Sequence, residues 1–139
     1  MKSLFLFFTM TAVLGWAQED TRTGATLTIT LENVLNDQVN ILAALHTQDT
    51  FMKGPGTANY KAEAQKGEMT FTFNNVTPGT YGVSVLHDLN SNQRMDYQPN
   101  GMPSEPYGMS GNDMSMGPPS FDAINFEVGA GDQDITIRF

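Results

Sequence analysis

Between Ala25 and Glu32 the chain alternates strictly, with Leu27, Ile29 and Leu31 on one side and Thr26, Thr28 and Thr30 on the other. A period of two rich in β-branched residues predicts a half-buried strand. The pattern recurs from Val39 to His46, with Val39, Ile41, Ala43 and Leu45 on one face. The second face of that segment carries Leu42 and Ala44 beside Asn40 and His46, so it is expected to be a central strand covered on both sides. Asn59 to Gln65 alternates weakly, and Lys61 and Glu63 suit an exposed edge. Met69, Phe71 and Phe73 alternate with Thr70 and Thr72, and Thr80 to His87 follows. Pro78-Gly79 between them matches the centre of a type II turn, so these two strands are expected to pair as a hairpin. Ala123 to Val128 (Ile124, Phe126 and Val128 inward) and Asp134 to Phe139 (Ile135, Ile137 and Phe139 inward) complete the set. Turn formers stand at Asn36-Asp37, Gly54-Pro55-Gly56 and Gly129 to Asp132. No segment has a helical period, and no internal repeat is present.

Short strands separated by turn signals predict an all-β fold, an antiparallel Greek-key β-sandwich of about seven strands. The Leu27/Ile29/Leu31 and Ile135/Ile137/Phe139 faces are expected to meet in one core. The terminal Phe139 also raises an outer-membrane barrel. A spanning strand needs about 9 to 11 residues with apolar side chains toward lipid. These strands are shorter and turn Thr, Asn, Glu and Arg outward, which favours the sandwich.

The alternation stops at Asp88 and returns only after Ser120. Irregular loops of such length are functional or disordered. Tyr97, Tyr107 and Met95, Met102, Met109, Met114 and Met116 are too apolar for a disordered segment, so one long ordered loop, 88–120, is expected.

The N-terminal MKSLFLFFTMTAVLGWA pairs Lys2 with an apolar run from Leu4 to Leu14, then small residues at Gly15 and Ala17. That is the layout of a signal peptide, 1–17, cut before Gln18. A flexible 18–24 and a single domain, 25–139, would follow, secreted or periplasmic in a bacterium. The apolar run is too short for an ordinary membrane span. The chain has no cysteine, which removes disulfides, thiolate metal sites and cysteine nucleophiles. A net charge of −8 disfavours nucleic acid and anionic membrane surfaces as partners, and favours cations.

Asp88-Leu-Asn90-Ser-Asn92-Gln-Arg94-Met-Asp96 has the form D-x-N-x-N-x-x-x-D. Oxygen ligands at the first, third, fifth and ninth positions, with a backbone carbonyl at the seventh, wrap Ca²⁺ in hard-cation loops. The candidate metal ligands are therefore Asp88, Asn90, Asn92, Asp96 and the Arg94 carbonyl. Two positions depart from the pattern. Gln93 stands where Gly allows the sharp turn, and Pro99 stands where a bidentate Glu closes the shell. Asp113, Glu105 or Asp122 folding back would supply the missing carboxylate. The same residues also read as Asx turns with no metal. His46 and His87 could join Asp88 in a transition-metal site if their strands are neighbours, or serve as structural histidines. The Met residues suit Cu(I) or loop packing. No nucleophile elbow and no H-E-x-x-H motif occurs, and acid pairs drawn from Asp88, Asp96, Glu105 and Asp113 are generic.

The runs GTYGVSVLHDLNSNQRMD, GMPSEPYGMS and GPPSFDAINFEV, from Gly79 onward, resemble the DUF2141 family of exported bacterial proteins. The likeness covers about Leu27 to Phe139. It implies export and a transthyretin-like sandwich, and carries no activity with it. The expectation is a non-enzymatic accessory or binding module of unknown protein or glycan partner, its loop ordered by Ca²⁺. The alternatives are a metal-free structural or adhesive surface domain binding protein or glycan through the loop, and a small hydrolase.

Overall fold

The computed structural model describes residues 24–112 and 118–139. The predicted signal peptide, Met114, Met116 and Asp113 lie outside the described residues. Among the described residues eight strands form: β1 (Ala25–Val34), β2 (Asn40–His46), β3 (Ala58–Glu63), β4 (Gly67–Val76), β5 (Gly79–Asp88), β6 (Tyr107–Met109), β7 (Phe126–Val128) and β8 (Gln133–Arg138). One helical turn, α1, covers Phe121–Ile124.

The strands make two facing sheets, one ordered β4-β1-β8 and the other β3-β2-β5-β6, with β7 also on β5. Pairing is antiparallel except between β1 and β8, which run parallel with Ile29 opposite Ile135 and Leu31 opposite Ile137. The expected β-sandwich is thus present. Leu27, Ile29, Leu31 and Ile137 are fully buried and share one cluster with Phe71, Phe73, Ile41, Leu45, Val83 and Val85 from both sheets. Each fully buried Leu, Ile or Val is worth about 1.5–3 kcal/mol, so the period-two faces are what hold the sheets together. Tyr60 on β3 stacks on Phe71 of β4 across the gap, ring centroids 4.2 Å apart.

Three expectations are corrected. β4 and β5 do not form a hairpin: β4 pairs with β1, β5 pairs with β2, and the two belong to opposite sheets. The Asn74 to Gly79 segment is a crossover. Its left-handed residue is Asn75 (φ 56°), and Gly79 is not among the positive-φ glycines that a type II turn requires. Ala123 to Val128 is not one strand, because Asn125 N–H bonds the Phe121 carbonyl at 2.9 Å and closes a helical turn before β7 starts. That turn seats Ile124, 1 % exposed, against Gly82, on the face of β5 away from the sandwich core. A Cβ at position 82 would lie 2.6 Å from Ile124 Cδ1, so Gly82 makes the seat. Finally, the long loop contains β6, whose Gly108 lets its backbone pass against Ile137.

β2 is central, flanked by β3 and β5, and β3 is an edge with Lys61 and Glu63 exposed. Among the described residues no helix is long and apolar enough to cross a membrane.

Candidate functional site

β5 ends on Asp88, where alternation turns its side chain to the outer face of the five-stranded sheet, opposite Asn40 of β2. The next residues curl over it. Asp88 is 1 % exposed, and its two carboxylate oxygens accept N–H bonds from Asn92 (3.2 Å) and Gln93 (2.8 Å). Asn90 Oδ1 accepts from Asn92 N–H and Asn92 Oδ1 from Arg94 N–H, so each Asx side chain turns the backbone two residues on. The Asn90 and Asn92 amides both donate to Asp96 Oδ2, at 2.5 and 2.6 Å. The Asn90 bond holds the Asp96 carboxyl below its ordinary pKa against the opposing effect of desolvation, with help from Asn92 and Arg94. Asp88, Asn90, Asn92 and Asp96 therefore do converge. No described donor takes the Arg94 carbonyl. Gln93 adopts φ 63°, so the turn that Gly makes in cation loops is made here by Gln.

A small hairpin then returns the chain. Ser104 N–H bonds the Asp96 carbonyl at 2.9 Å and Gln98 N–H bonds that of Met102 at 2.7 Å, with Gly101 at φ 83° in the bend. Beyond it the chain joins β5 as β6, Tyr107 opposite Leu86 and the Pro106 carbonyl on His87 N–H. Continued by two places, that register sets Glu105 opposite Asp88. Of the three carboxylates that could have folded back, Glu105 does so. Asp122 is exposed on α1. Glu105 is 7 % exposed, its Oε1 accepts from Asn90 N–H at 3.4 Å, and its Oε2 is buried with no hydrogen-bond partner. Neither Asp88 nor Glu105 has a salt-bridge partner among the described residues, where Arg94 pairs with Asp96 at 3.8 Å and Arg138 with Glu32. Like charges facing across a ladder are destabilising, and a buried charge left unpaired is more so. Among the described residues no three His, Cys, Asp or Glu close on one point. A cation here would draw on Asn amide oxygens and the Arg94 carbonyl as well.

The two histidines do not meet. His46 lies on the outer face, opposite Gly82, while His87 points into the core, opposite Ile41. His87 donates Nε2–H to the Gln38 carbonyl at 2.9 Å and packs against Phe139, a structural role. The His46/His87/Asp88 transition-metal alternative is therefore split by the sheet, because the two histidines stand on opposite sides of the strand pleat. Met95 and Met109 line a surface groove, and Met102 is exposed.

That groove, about 630 Å³, lies on the same outer face. Its floor is two cross-sheet rows set by register, Lys61–Leu42–Leu86–Tyr107 and Asn59–Ala44–Ser84–Met109. One wall is the Phe51 to Gly56 loop and the other is Gln93 to Tyr97 of the Asp88 loop. His46 sits under Phe51, rings 5.7 Å apart, and burial lowers its pKa despite a bond with Thr50. Phe51 in turn meets Phe121. The apolar second face of β2, Leu42 and Ala44, was the sequence signal for this surface.

Residues 29–136 match a family described as "Uncharacterized protein conserved in bacteria (DUF2141)". The chain belongs to the DUF2141 family. The DUF2141 match runs from within β1 into β8 and contains the whole Asp88 loop, Glu105 and the groove floor. No curated protein and no solved structure matches the chain.

Proposed function

We propose that the chain is an exported, non-enzymatic binding module whose Asp88 loop is fixed by Ca²⁺. One observation carries this reading: Glu105 and Asp88 are both buried at facing positions of the continued β5–β6 register, with an orphan carboxylate oxygen and no salt-bridge partner among the described residues. Glu105 replaces the carboxylate that the loop lacks at Pro99, and arrives from the β6 return instead of the loop itself. The ion would take Asp88, Asn90, Asn92, the Arg94 carbonyl, Asp96 and Glu105. Rotating the two Asn amides turns their oxygens to the metal in place of their N–H groups. Both Asp88 oxygens are occupied by backbone N–H bonds, which suits a scaffold better than the acid or base of a hydrolase. Those same bonds favour the second reading, a metal-free adhesive domain whose Asx turns suffice. The apolar N-terminal run supports export, and mass analysis of the secreted protein should find Gln18 as its first residue.

Calorimetric titration of chelator-stripped protein tests the cation. Calcium at about a hundred times its dissociation constant adds about 2.7 kcal/mol, which raises the melting temperature by several degrees, reversibly with EDTA. Mg²⁺ should substitute poorly, because it gives up its water reluctantly. Asp96→Ala and Glu105→Gln should each weaken calcium at least tenfold. Silence with Ca²⁺, Mg²⁺, Zn²⁺ and Cu²⁺ at millimolar concentration would leave the Asx-turn reading.

A further inference from the structure

The outer face of the five-stranded sheet has a composition the chain as a whole does not share. The protein carries fifteen Asp and Glu against seven Lys and Arg. Yet among the described residues lining the groove there is Lys61 and Arg94 and no Asp or Glu. Arg94 is shared with Asp96 at 3.8 Å, whereas Lys61 has no ion-pair partner among the described residues. The unpaired charge therefore sits at one end. Lys61 stands on the edge strand β3, and register carries the row inward over Leu42 and Leu86 to Tyr107 on β6. Crossing four strands takes about 14 Å, three interstrand spacings. The parallel row adds Ala44 and Met109, and Met95 and Phe51 rise on the two walls.

A volume of about 630 Å³ is in the range of small-molecule sites, here a half-open groove with an apolar strip at Leu42, Leu86 and Met109 among polar groups that can set orientation. Both loop walls bound the groove along the strand direction, so a ligand has to lie across the strands. We propose that this face binds one unbranched apolar chain ending in a carboxylate. The tail lies over Leu42, Leu86 and Met109, and the head group pairs with Lys61 at the open edge. Burial of methylenes supplies the affinity, and Lys61, the lining cation without an ion-pair partner among the described residues, selects the head. His46, held neutral by burial at the opposite wall, adds no competing charge at neutral pH. The inference does not rest on the cation at Asp88.

Calorimetry with decanoate and with decyltrimethylammonium, the same tail with the opposite charge, tests it. Each titration is run in EDTA and again in calcium kept below the solubility limit of its decanoate salt. Decanoate should bind one-to-one in at least one buffer, and at least tenfold more tightly than decyltrimethylammonium. Lys61→Glu should reverse that preference. Ala44→Trp should fill the floor and abolish binding, with an unchanged melting profile in Lys61→Glu showing that the fold survives the change of head-group residue. No decanoate binding in either buffer overturns the proposal. So does equal affinity for both heads, indifference to Lys61→Glu, or capture of an oligosaccharide or a peptide while decanoate is ignored.

Discussion

Asp88→Ala measured in EDTA isolates what the loop owes to its own hydrogen bonds. The carboxylate is 1 % exposed and accepts two backbone N–H bonds, at 3.2 Å from Asn92 and 2.8 Å from Gln93. A hydrogen bond to a charged group is worth about 1.5–3 kcal/mol. Asn92 and Gln93 are exposed, so water can replace part of the loss once the carboxylate is gone. Removal also relieves the facing of Asp88 and Glu105. The net cost should be about 2–3 kcal/mol, at or just below the smallest value that two such bonds would give alone. For a domain of this size that lowers the melting temperature by roughly 10 °C. Urea denaturation of wild type and variant, followed by far-ultraviolet circular dichroism, gives the difference directly. Asp96→Ala is the control, since it loses the Asn90 and Asn92 amides and the Arg94 ion pair, all at the surface, and should change stability by less than about 0.5 kcal/mol. A loss below about 0.5 kcal/mol for Asp88→Ala, the usual range for surface changes, would show that Asp88 does not organise the loop.

Ile29→Ala and Ile137→Ala each remove a fully buried side chain and should cost about 2–5 kcal/mol by urea denaturation. Gln93→Gly relieves a left-handed φ of 63° that costs a side chain about 1–2 kcal/mol, so it should be neutral to stabilising where Gln93→Val destabilises. Thermal melts of the two variants decide this, and Gly less stable than Val would refute it. Burial lowers the His46 pKa, so the unfolded chain binds the proton more readily than the folded one. The stability contributed by neutral His46 is therefore present above about pH 6.5 and lost as pH falls toward the folded value. The advantage of wild type over His46→Gln should shrink between pH 7 and pH 5, and a constant difference would contradict the assignment.

Sequence alone determined where β1 to β5 and β8 run, because a period of two survives whatever the partner. Leu27, Ile29 and Leu31 announce their face in isolation, and so do the edge character of β3 and the double apolar faces of β2. It also determined the oxygen pattern from Asp88 to Asp96, since Asx residues at every second place act on the backbone next to them. Partner choice was decided only in three dimensions. β4 and β5 look like a hairpin from their spacing, yet each buries its apolar face from an opposite side, which no local pattern can register. Ile124 carries the alternation of a strand, but the space over Gly82 draws it into a helical turn. Glu105 meets Asp88 because a hairpin from Asp96 to Ser104 folds the chain back and β6 fixes its register on β5. The groove is likewise a product of register. Lys61, Leu42, Leu86 and Tyr107 come from four separated segments, and backbone pairing across the sheet places them in one row.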